Sequence, residues 1–132
     1  MCGVDWIVDG MNLMGSRPDG WWRDRAAARR RQVATLAALS EREGATITVV
    51  FDGRDQPEEV ADGAVLGVRV VFAPGGRDAA DDVITAMAGS LADPLGSTVV
   101  TSDAGLARRV RRVGVAVMGV SAFGSRLAPA GE

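Results

Sequence analysis

The sequence predicts an α/β fold in which helices cover a mostly parallel sheet. Short apolar, β-branched runs alternate along the 132 residues with longer stretches of helical periodicity. This alternation favours parallel strands joined by right-handed crossovers. Carboxylates follow three of the runs, at Asp9, Asp52 and Asp103. Because the carboxyl ends of parallel strands meet at one edge of a sheet, we expect an acidic pocket at that edge.

The first predicted strand, Val4 to Asp9, is almost continuously apolar. A run of this kind is typical of a strand that is covered on both faces. It delivers Asp9 to a turn that contains Gly10. The segment from Met14 to Trp22 contains a proline and a glycine, which predicts a loop.

The next two elements are a helix and a second buried strand. Asp24 to Arg42 is rich in Ala, Arg and Leu and predicts a helix, with Gly44 as its C-terminal stop. Ala45 to Phe51 is β-branched and ends at Asp52. The polar stretch 54–64 that follows contains a proline and predicts an exposed connection.

The third strand is predicted at Val68 to Phe72, and a helix starts at Asp78. Acidic residues in the first turn of this helix complement the helix dipole, and Pro94 and Gly96 end it. The fourth strand is Ser97 to Thr101.

A helix that ends near Arg112 is capped by Ser102 or Asp103, and Val115 to Val120 is the fifth strand. We expect residues 1–127 to form a single domain, followed by a disordered tail at 128–132.

Absent residue types exclude several kinds of chemistry. The sequence contains no His and no Lys, so all 15 of its cationic side chains are arginines. Catalytic triads with histidine, histidine metal sites, a P-loop lysine and a Schiff base are therefore excluded. Carboxylates without imidazole or thiolate favour a hard cation, Mg²⁺ or Mn²⁺.

The N-terminus lacks the features of a signal peptide, and no apolar run reaches the length of a membrane helix. A single cysteine, Cys2, suits a reducing compartment. We therefore expect a cytoplasmic protein without membrane contact.

The net charge of −2 conceals separate basic segments. Six arginines lie between Arg17 and Arg31 and four between Arg108 and Arg112. Their distribution is compatible with a nucleic-acid partner, although a solvated helix face explains either group equally well. Trp21 and Trp22 either stack on unpaired bases or anchor the following helix.

An acidic cluster, Asp78, Asp81 and Asp82, opens the third predicted helix. These three acids have a simpler explanation as partners of the helix dipole. Asp9 has one as a turn former or helix cap, and Asp103 has one as an N-cap. Several carboxylates in one pocket would repel each other, and folding tolerates this at low cost only if they bind protons or a cation. A carboxylate-bound divalent ion suits phosphodiester cleavage without histidine.

The segments DGMNLMGSRPDGWWRDR, VVFDG, DAADDVI and VVTSD together resemble the NYN branch of the PIN-like nuclease superfamily, in particular its YacP-like ribonucleases. The resemblance covers roughly Val4 to Val120. It implies a Rossmann-like three-layer sandwich with a five-stranded sheet of order 3-2-1-4-5. It also implies cleavage of single-stranded or structured RNA with Mg²⁺ or Mn²⁺.

The resemblance assigns roles position by position. Asp9, Asp81 and Asp103 would be the catalytic metal ligands, although Asp81 and Asp82 could exchange roles. The supporting residues would be Asn12, Asp52, Asp78, Asp82 and Ser102. RNA would contact Arg17, Trp21, Trp22, Arg23, Arg108, Arg109 and Arg112. A ribosome or messenger RNA, a second copy of the chain and an antitoxin are further partners that the resemblance leaves open.

Other functions are disfavoured by specific residues. A haloacid-dehalogenase-type phosphatase needs an aspartate at position 11, which is Met11, and a response-regulator receiver needs a lysine. A nicotinamide-binding domain needs a glycine motif that DGMNLMG lacks. The remaining alternative is an inactive PIN-like module that binds RNA or protein.

Overall fold

The computed structural model describes residues 5–16, 20–53, 63–65, 67–76 and 78–127. The predicted tail at 128–132 and the predicted RNA contact Arg17 lie outside these residues, as does the side chain of Trp21. The elements, in chain order, are β1 (Asp5–Asp9), α1 (Gly10–Gly15), α2 (Arg25–Glu43), β2 (Thr46–Asp52), β3 (Gly63–Val65), β4 (Val68–Ala73), α3 (Ala79–Gly89), β5 (Ser97–Val100), α4 (Ala104–Arg112), β6 (Ala116–Met118) and α5 (Val120–Leu127).

The strands form one sheet in the order β3-β4-β2-β1-β5-β6. Every pairing between β4, β2, β1, β5 and β6 is parallel, which confirms the predicted order 3-2-1-4-5 for these five strands. The short strand β3 pairs antiparallel with β4 and adds a sixth strand at the edge. Gly63 and Ala64 belong to the stretch 54–64 that we predicted as a connection, so that prediction was wrong for these two residues.

Helices pack on both faces of the sheet because successive side chains of a strand point in opposite directions. Trp6 and Val8 of β1 join the hydrophobic core under α2 and α5. Ile7, between them, joins the core under α3 and α4. β1 is central and covered on both sides, which explains its continuous apolar run and confirms the three-layer sandwich.

The long helix α2 begins and ends as its sequence predicts. The Asp24 side chain accepts a hydrogen bond from the Ala27 amide at 3.0 Å, and Gly44 ends the helix with a φ of 63°. A left-handed φ of this size favours glycine, which has no Cβ to clash with its own backbone.

Two helices were missed at the two ends of the domain. α1 follows β1 directly, where we expected only a turn and a loop. α5 starts at Val120, the residue at which we ended the fifth strand. The Phe123 ring of α5 lies 5.0 Å from the Trp6 ring, and this tertiary contact has no signature in the local sequence. None of the helices among the described residues is long and apolar enough to cross a membrane.

Candidate active site

Asp9 is held at the carboxyl end of the central strand β1. Its side chain is only 6% exposed. One carboxylate oxygen, Oδ2, accepts a hydrogen bond from the Thr101 hydroxyl at 3.0 Å, and Oδ1 accepts a longer bond of 3.4 Å from the Asn12 amide. The second bond makes Asp9 the N-cap of α1. Asp9 is therefore a cap, but the cap occupies only one of its two oxygens.

Gly10 allows the chain to turn directly from β1 into α1. A Cβ atom at this position would lie 2.6 Å from Cδ1 of Phe51 and 2.9 Å from the carbonyl oxygen of Val50. Both neighbours belong to β2 and are fully buried, so neither moves aside easily. The glycine after Asp9 is required by the close approach of β2.

Four more aspartates reach the same edge of the sheet from other elements. Asp52 ends β2, Asp103 precedes α4, and Asp78 and Asp81 lie at the start of α3. They line an open cleft of about 330 Å³ together with Asp9, Met11, Asn12 and Ala80. The structure thus brings together the three residues that we predicted as metal ligands. Their roles stay predictions.

Asp78 has an unusual backbone conformation for its residue type. Its φ of 62° is left-handed, and its side chain does not cap α3 although it directly precedes the helix. Aspartate tolerates this region better than most residues, but the conformation still costs free energy. Asp78 thus makes no capping hydrogen bond with its side chain, and its predicted role as a partner of the helix dipole stays a prediction.

Thr101 connects the two halves of the cleft and was missed in the sequence. Its hydroxyl donates to Asp9 and accepts from the Asp103 amide at 3.1 Å, and its side chain is 1% exposed. Asp103 in turn caps α4 by accepting from the Leu106 amide at 2.9 Å. A hydroxyl residue at the carboxyl end of the strand, two residues before Asp103, was the available signal.

Burial raises the pKa of Asp9 to about 6. The hydrogen bonds from Thr101 and Asn12 lower this pKa, whereas the nearby charges of Asp81 and Asp52 raise it. The pKa values of Asp52 and Asp81 are also raised, in each case mainly by burial, and Asp103 and Asp78 add repulsion at Asp81. The cleft therefore disfavours negative charge as long as no cation offsets it.

Asp81 and Asp82 have different surroundings, although they are adjacent in sequence. Asp81 lines the cleft, whereas Asp82 forms an ion pair with Arg109 on α4, with Nη2 and Oδ1 3.0 Å apart. The charge of Arg109 also offsets part of the rise in the pKa of Asp81. Of the two, only Asp81 is placed to act in the cleft, and Arg109 is engaged by an acid.

Asn12 and Ser102, which we predicted to orient water or phosphate, are both engaged within the protein. The Asn12 Oδ1 atom accepts a bond from the Ser102 amide at 2.7 Å. The Ser102 hydroxyl oxygen accepts one from the Val120 amide at 2.9 Å. These bonds tie α1, the loop after β5 and α5 together. Asn12 also lines the cleft.

The described side chains among the predicted RNA contacts come from two parts of the chain, the segment before α2 and the helix α4. Trp22 is 56% exposed, and the Arg23 guanidinium lies 5.8 Å from its ring centroid. Arg108 and Arg112 are exposed on α4, which packs on the opposite face of the sheet from α2. None of these four residues lines the cleft.

Gln32 is a second residue that the sequence did not reveal. Its side-chain Nε2 donates a hydrogen bond of 3.1 Å to the carbonyl oxygen of Gly10. The bond links α2 to the residue that follows Asp9. Gln32 is 8% exposed, and it lies on the inward face of a helix that is rich in Ala, Arg and Leu. A buried amide on such a face is the signal that could have found it.

The cleft suits a hard cation in its donor chemistry. Its polar side chains are carboxylates and one amide, which are the ligands that Mg²⁺ and Mn²⁺ prefer. Across the part of the chain that the structure describes, however, no three His, Cys, Asp or Glu side chains are positioned as a ready group of metal ligands. The carboxylates converge on one cleft without forming a closed ligand shell.

The fold and sequence match known proteins of one family. The YacP-like NYN domain family matches residues 6–131. Rae1 (YacP) from Bacillus subtilis is structurally similar, with a TM-score of 0.75 and 22% identity over 92% of this chain and 72% of that one. A point mutant of the same protein gives a TM-score of 0.76 and 21% identity over 94% and 74%. No curated protein sequence matches the chain significantly. The fold is PIN-like, and the chain belongs to the YacP-like NYN domain family.

Proposed function

We propose that this protein is a divalent-metal-dependent endoribonuclease that hydrolyses RNA phosphodiester bonds in the acidic cleft. The observation that carries this proposal is the convergence of Asp9, Asp52, Asp78, Asp81 and Asp103 from four separate parts of the chain. A fold gains no stability from five neighbouring carboxylates, and the raised pKa of Asp9 indicates a cost instead. Such a cost is typical of a functional site.

Asp9, Asp81 and Asp103 would hold the ion, with Asp52 and Asp78 beside them. When bound, Mg²⁺ or Mn²⁺ would lower the pKa of a water molecule and offset the charge that develops on the phosphate. The cation would also relieve the repulsion between the acids. Binding should therefore stabilise the fold, and this effect is measurable without any substrate.

The other residues of the cleft would keep the acids in place. Thr101 orients one oxygen of Asp9 and holds the backbone of Asp103 through the same hydroxyl. Gln32 fixes the carbonyl of Gly10 from the far side of α1. These contacts leave the carboxylates little freedom to move apart, which limits the reorganisation that cation binding requires.

The test measures cleavage of labelled single-stranded and structured RNA by the purified protein, with Mg²⁺ or Mn²⁺ and with a chelator. We expect cleavage only with the metal, and we expect Asp9→Asn to abolish it. Asp5→Asn is the matched control, because Asp5 lies on the same strand at the opposite edge of the sheet. Equal cleavage by the Asp9→Asn variant and the parent would refute the assignment.

Metal binding has a separate readout. Titration of Mn²⁺ in thermal melts should raise the unfolding temperature of the parent and of Asp5→Asn, and much less that of Asp9→Asn. At a metal concentration of about 100 times the Kd, the stabilisation is about 2.7 kcal/mol.

An inactive module that binds RNA is the second candidate. It is favoured by the absence of a ready three-ligand group among the described residues. RNA binding without cleavage, together with unchanged melts in Mn²⁺, would support it. Contact with a ribosome or a second copy of the chain stays a prediction.

A further inference from the structure

The first two turns of α2 lie at the same edge of the sheet as the acidic cleft. α2 leads into β2, and β2 runs parallel to β1, so α2 must travel from the carboxyl edge back to the amino edge. Its N-terminal residues are therefore close to the residues that follow β1. Arg25 and Arg29 are four residues apart in these turns and lie on the same side of the helix.

These two arginines line a depression of about 360 Å³. Its other lining residues are Met11, Asp52, Gly53 and Gly76. Met11 and Asp52 also line the acidic cleft, so the two concavities are contiguous. A strongly acidic surface thus passes directly into one that carries two guanidinium groups.

The wall that includes the two glycines is bare backbone. Gly53 and Gly76 have φ values of 105° and 99°, a conformation that side chains rarely adopt. A Cβ built on either residue would have no heavy atom of the described residues within 4 Å. As far as the described residues are concerned, a polyanion could approach the backbone of the two glycines closely.

The arginines of α4 are less well placed. Arg109 lines neither the depression nor the cleft. α4 starts at the cleft and runs away from it, and its last residue, Arg112, lies about 12 Å along the helix axis from the first. Among the described residues, the arginines that line the depression next to the cleft are the pair on α2, for which our sequence analysis left phosphate contact and a solvated helix face open.

We propose that the depression between Arg25, Arg29 and the two glycines is a phosphate subsite for the RNA backbone next to the scissile phosphate. This inference rests on the proposed function and adds the direction in which the RNA leaves the cleft. Guanidinium groups bind phosphate with paired, charge-assisted hydrogen bonds. They would also offset the repulsion between the RNA and the carboxylates of the cleft.

The test measures the affinity of a labelled single-stranded RNA by fluorescence anisotropy over a range of salt concentrations. The Asp9→Asn variant serves as the background, so that the RNA stays intact. We expect Arg25→Gln with Arg29→Gln to weaken binding at least about tenfold. The slope of log affinity against log salt should fall by about 1.4, the value for two phosphate contacts on a single strand.

The matched control removes the same charge elsewhere, through Arg30→Gln with Arg69→Gln. Both side chains are exposed, and neither lines the depression or the cleft. We expect less than about a threefold loss of affinity from this pair. Equal losses from the two pairs would mean that only the overall charge matters, and would overturn the subsite.

Two further measurements separate the possible failures. Arg25→Lys with Arg29→Lys keeps the positive charge but not the paired hydrogen bonds of the guanidinium groups. We expect its affinity for RNA to be lower than that of the protein with both arginines and higher than that of Arg25→Gln with Arg29→Gln. This variant tests the subsite even if the glutamine variant fails to fold. Cleavage by the otherwise unchanged protein tests the proposed function separately. If the parent cleaves RNA but neither Arg25/Arg29 variant loses affinity for RNA, the subsite alone is refuted. If the variants lose affinity but the parent does not cleave RNA, the nuclease assignment alone is refuted.

Discussion

Replacement of Asp9 by Asn should make the metal-free protein more stable near neutral pH. Asp9 is nearly completely buried, and burial raises its pKa from 3.8 to about 6. Below pH 3.8 the group is protonated in both the folded and the unfolded state and has no effect. As the pH rises from 3.8 towards 6, the unfolded state loses the proton first, so the folded state becomes progressively less stable.

The size of the effect follows from the two pKa values. Their difference corresponds to about 3 kcal/mol of lost stability above pH 6, of which about 2.5 kcal/mol develops between about pH 4 and pH 7.5. Asn carries no charge and avoids this loss. It has only one acceptor oxygen for the two donors, Thr101 and the Asn12 amide, so the net gain at pH 7.5 should be about 1 to 2 kcal/mol.

Urea unfolding in chelator at about pH 4 and about pH 7.5 measures the effect directly. The stability of Asp9→Asn relative to the parent should increase by about 2.5 kcal/mol between the two conditions. Contributions of Asp52 and Asp81 occur in both proteins and largely cancel in the difference. The control Asp5→Asn keeps the Asp9 carboxyl and should therefore keep the loss of stability that this carboxyl causes between the two pH values.

If the free energies of unfolding of Asp9→Asn and the parent differ by the same amount at both pH values, the reasoning from burial is refuted. Lower stability of Asp9→Asn at pH 7.5 would show that its two hydrogen bonds matter more than the buried charge. With the loss of cleavage expected for the same variant, a gain in stability would show that Asp9 serves function at the expense of the fold.

Two further substitutions test how the cleft is built. Gly10→Ala should lower the free energy of unfolding by about 1 to 3 kcal/mol, because its Cβ would meet the buried Phe51 ring. Gly124→Ala, a helix position whose Cβ meets no atom within 4 Å, should be neutral or slightly stabilising in the same urea titration. Thr101→Val should raise the pKa of Asp9 further and cost about 1 to 2 kcal/mol above pH 6, with a smaller cost at pH 4. A loss that is independent of pH would contradict the hydrogen bond from Thr101 to Asp9, and NMR titration of the Asp9 carboxyl checks it directly.

Much of the architecture was predictable because it depends on local patterns. The apolar runs and the helical stretches between them determined the five parallel strands, and their placement determined that Asp9, Asp52 and Asp103 would share one edge. The order of the strands came from the resemblance and was confirmed by the pairing of β1 with β2 and β5. The antiparallel strand β3 was missed, because three residues after a polar segment carry no periodic signal.

The details of the cleft depended on tertiary structure. Sequence alone indicated an acidic edge that suits a divalent cation, because residue types and strand ends are local properties. Which of Asp81 and Asp82 faces the cleft depends on the rotation of α3 and on Arg109 of another helix. The bond from Thr101 to Asp9 and the position of Arg25 and Arg29 beside the acids join residues far apart in the chain. Side-chain direction and packing decide such contacts, and neither is encoded by the spacing of residues within a single element.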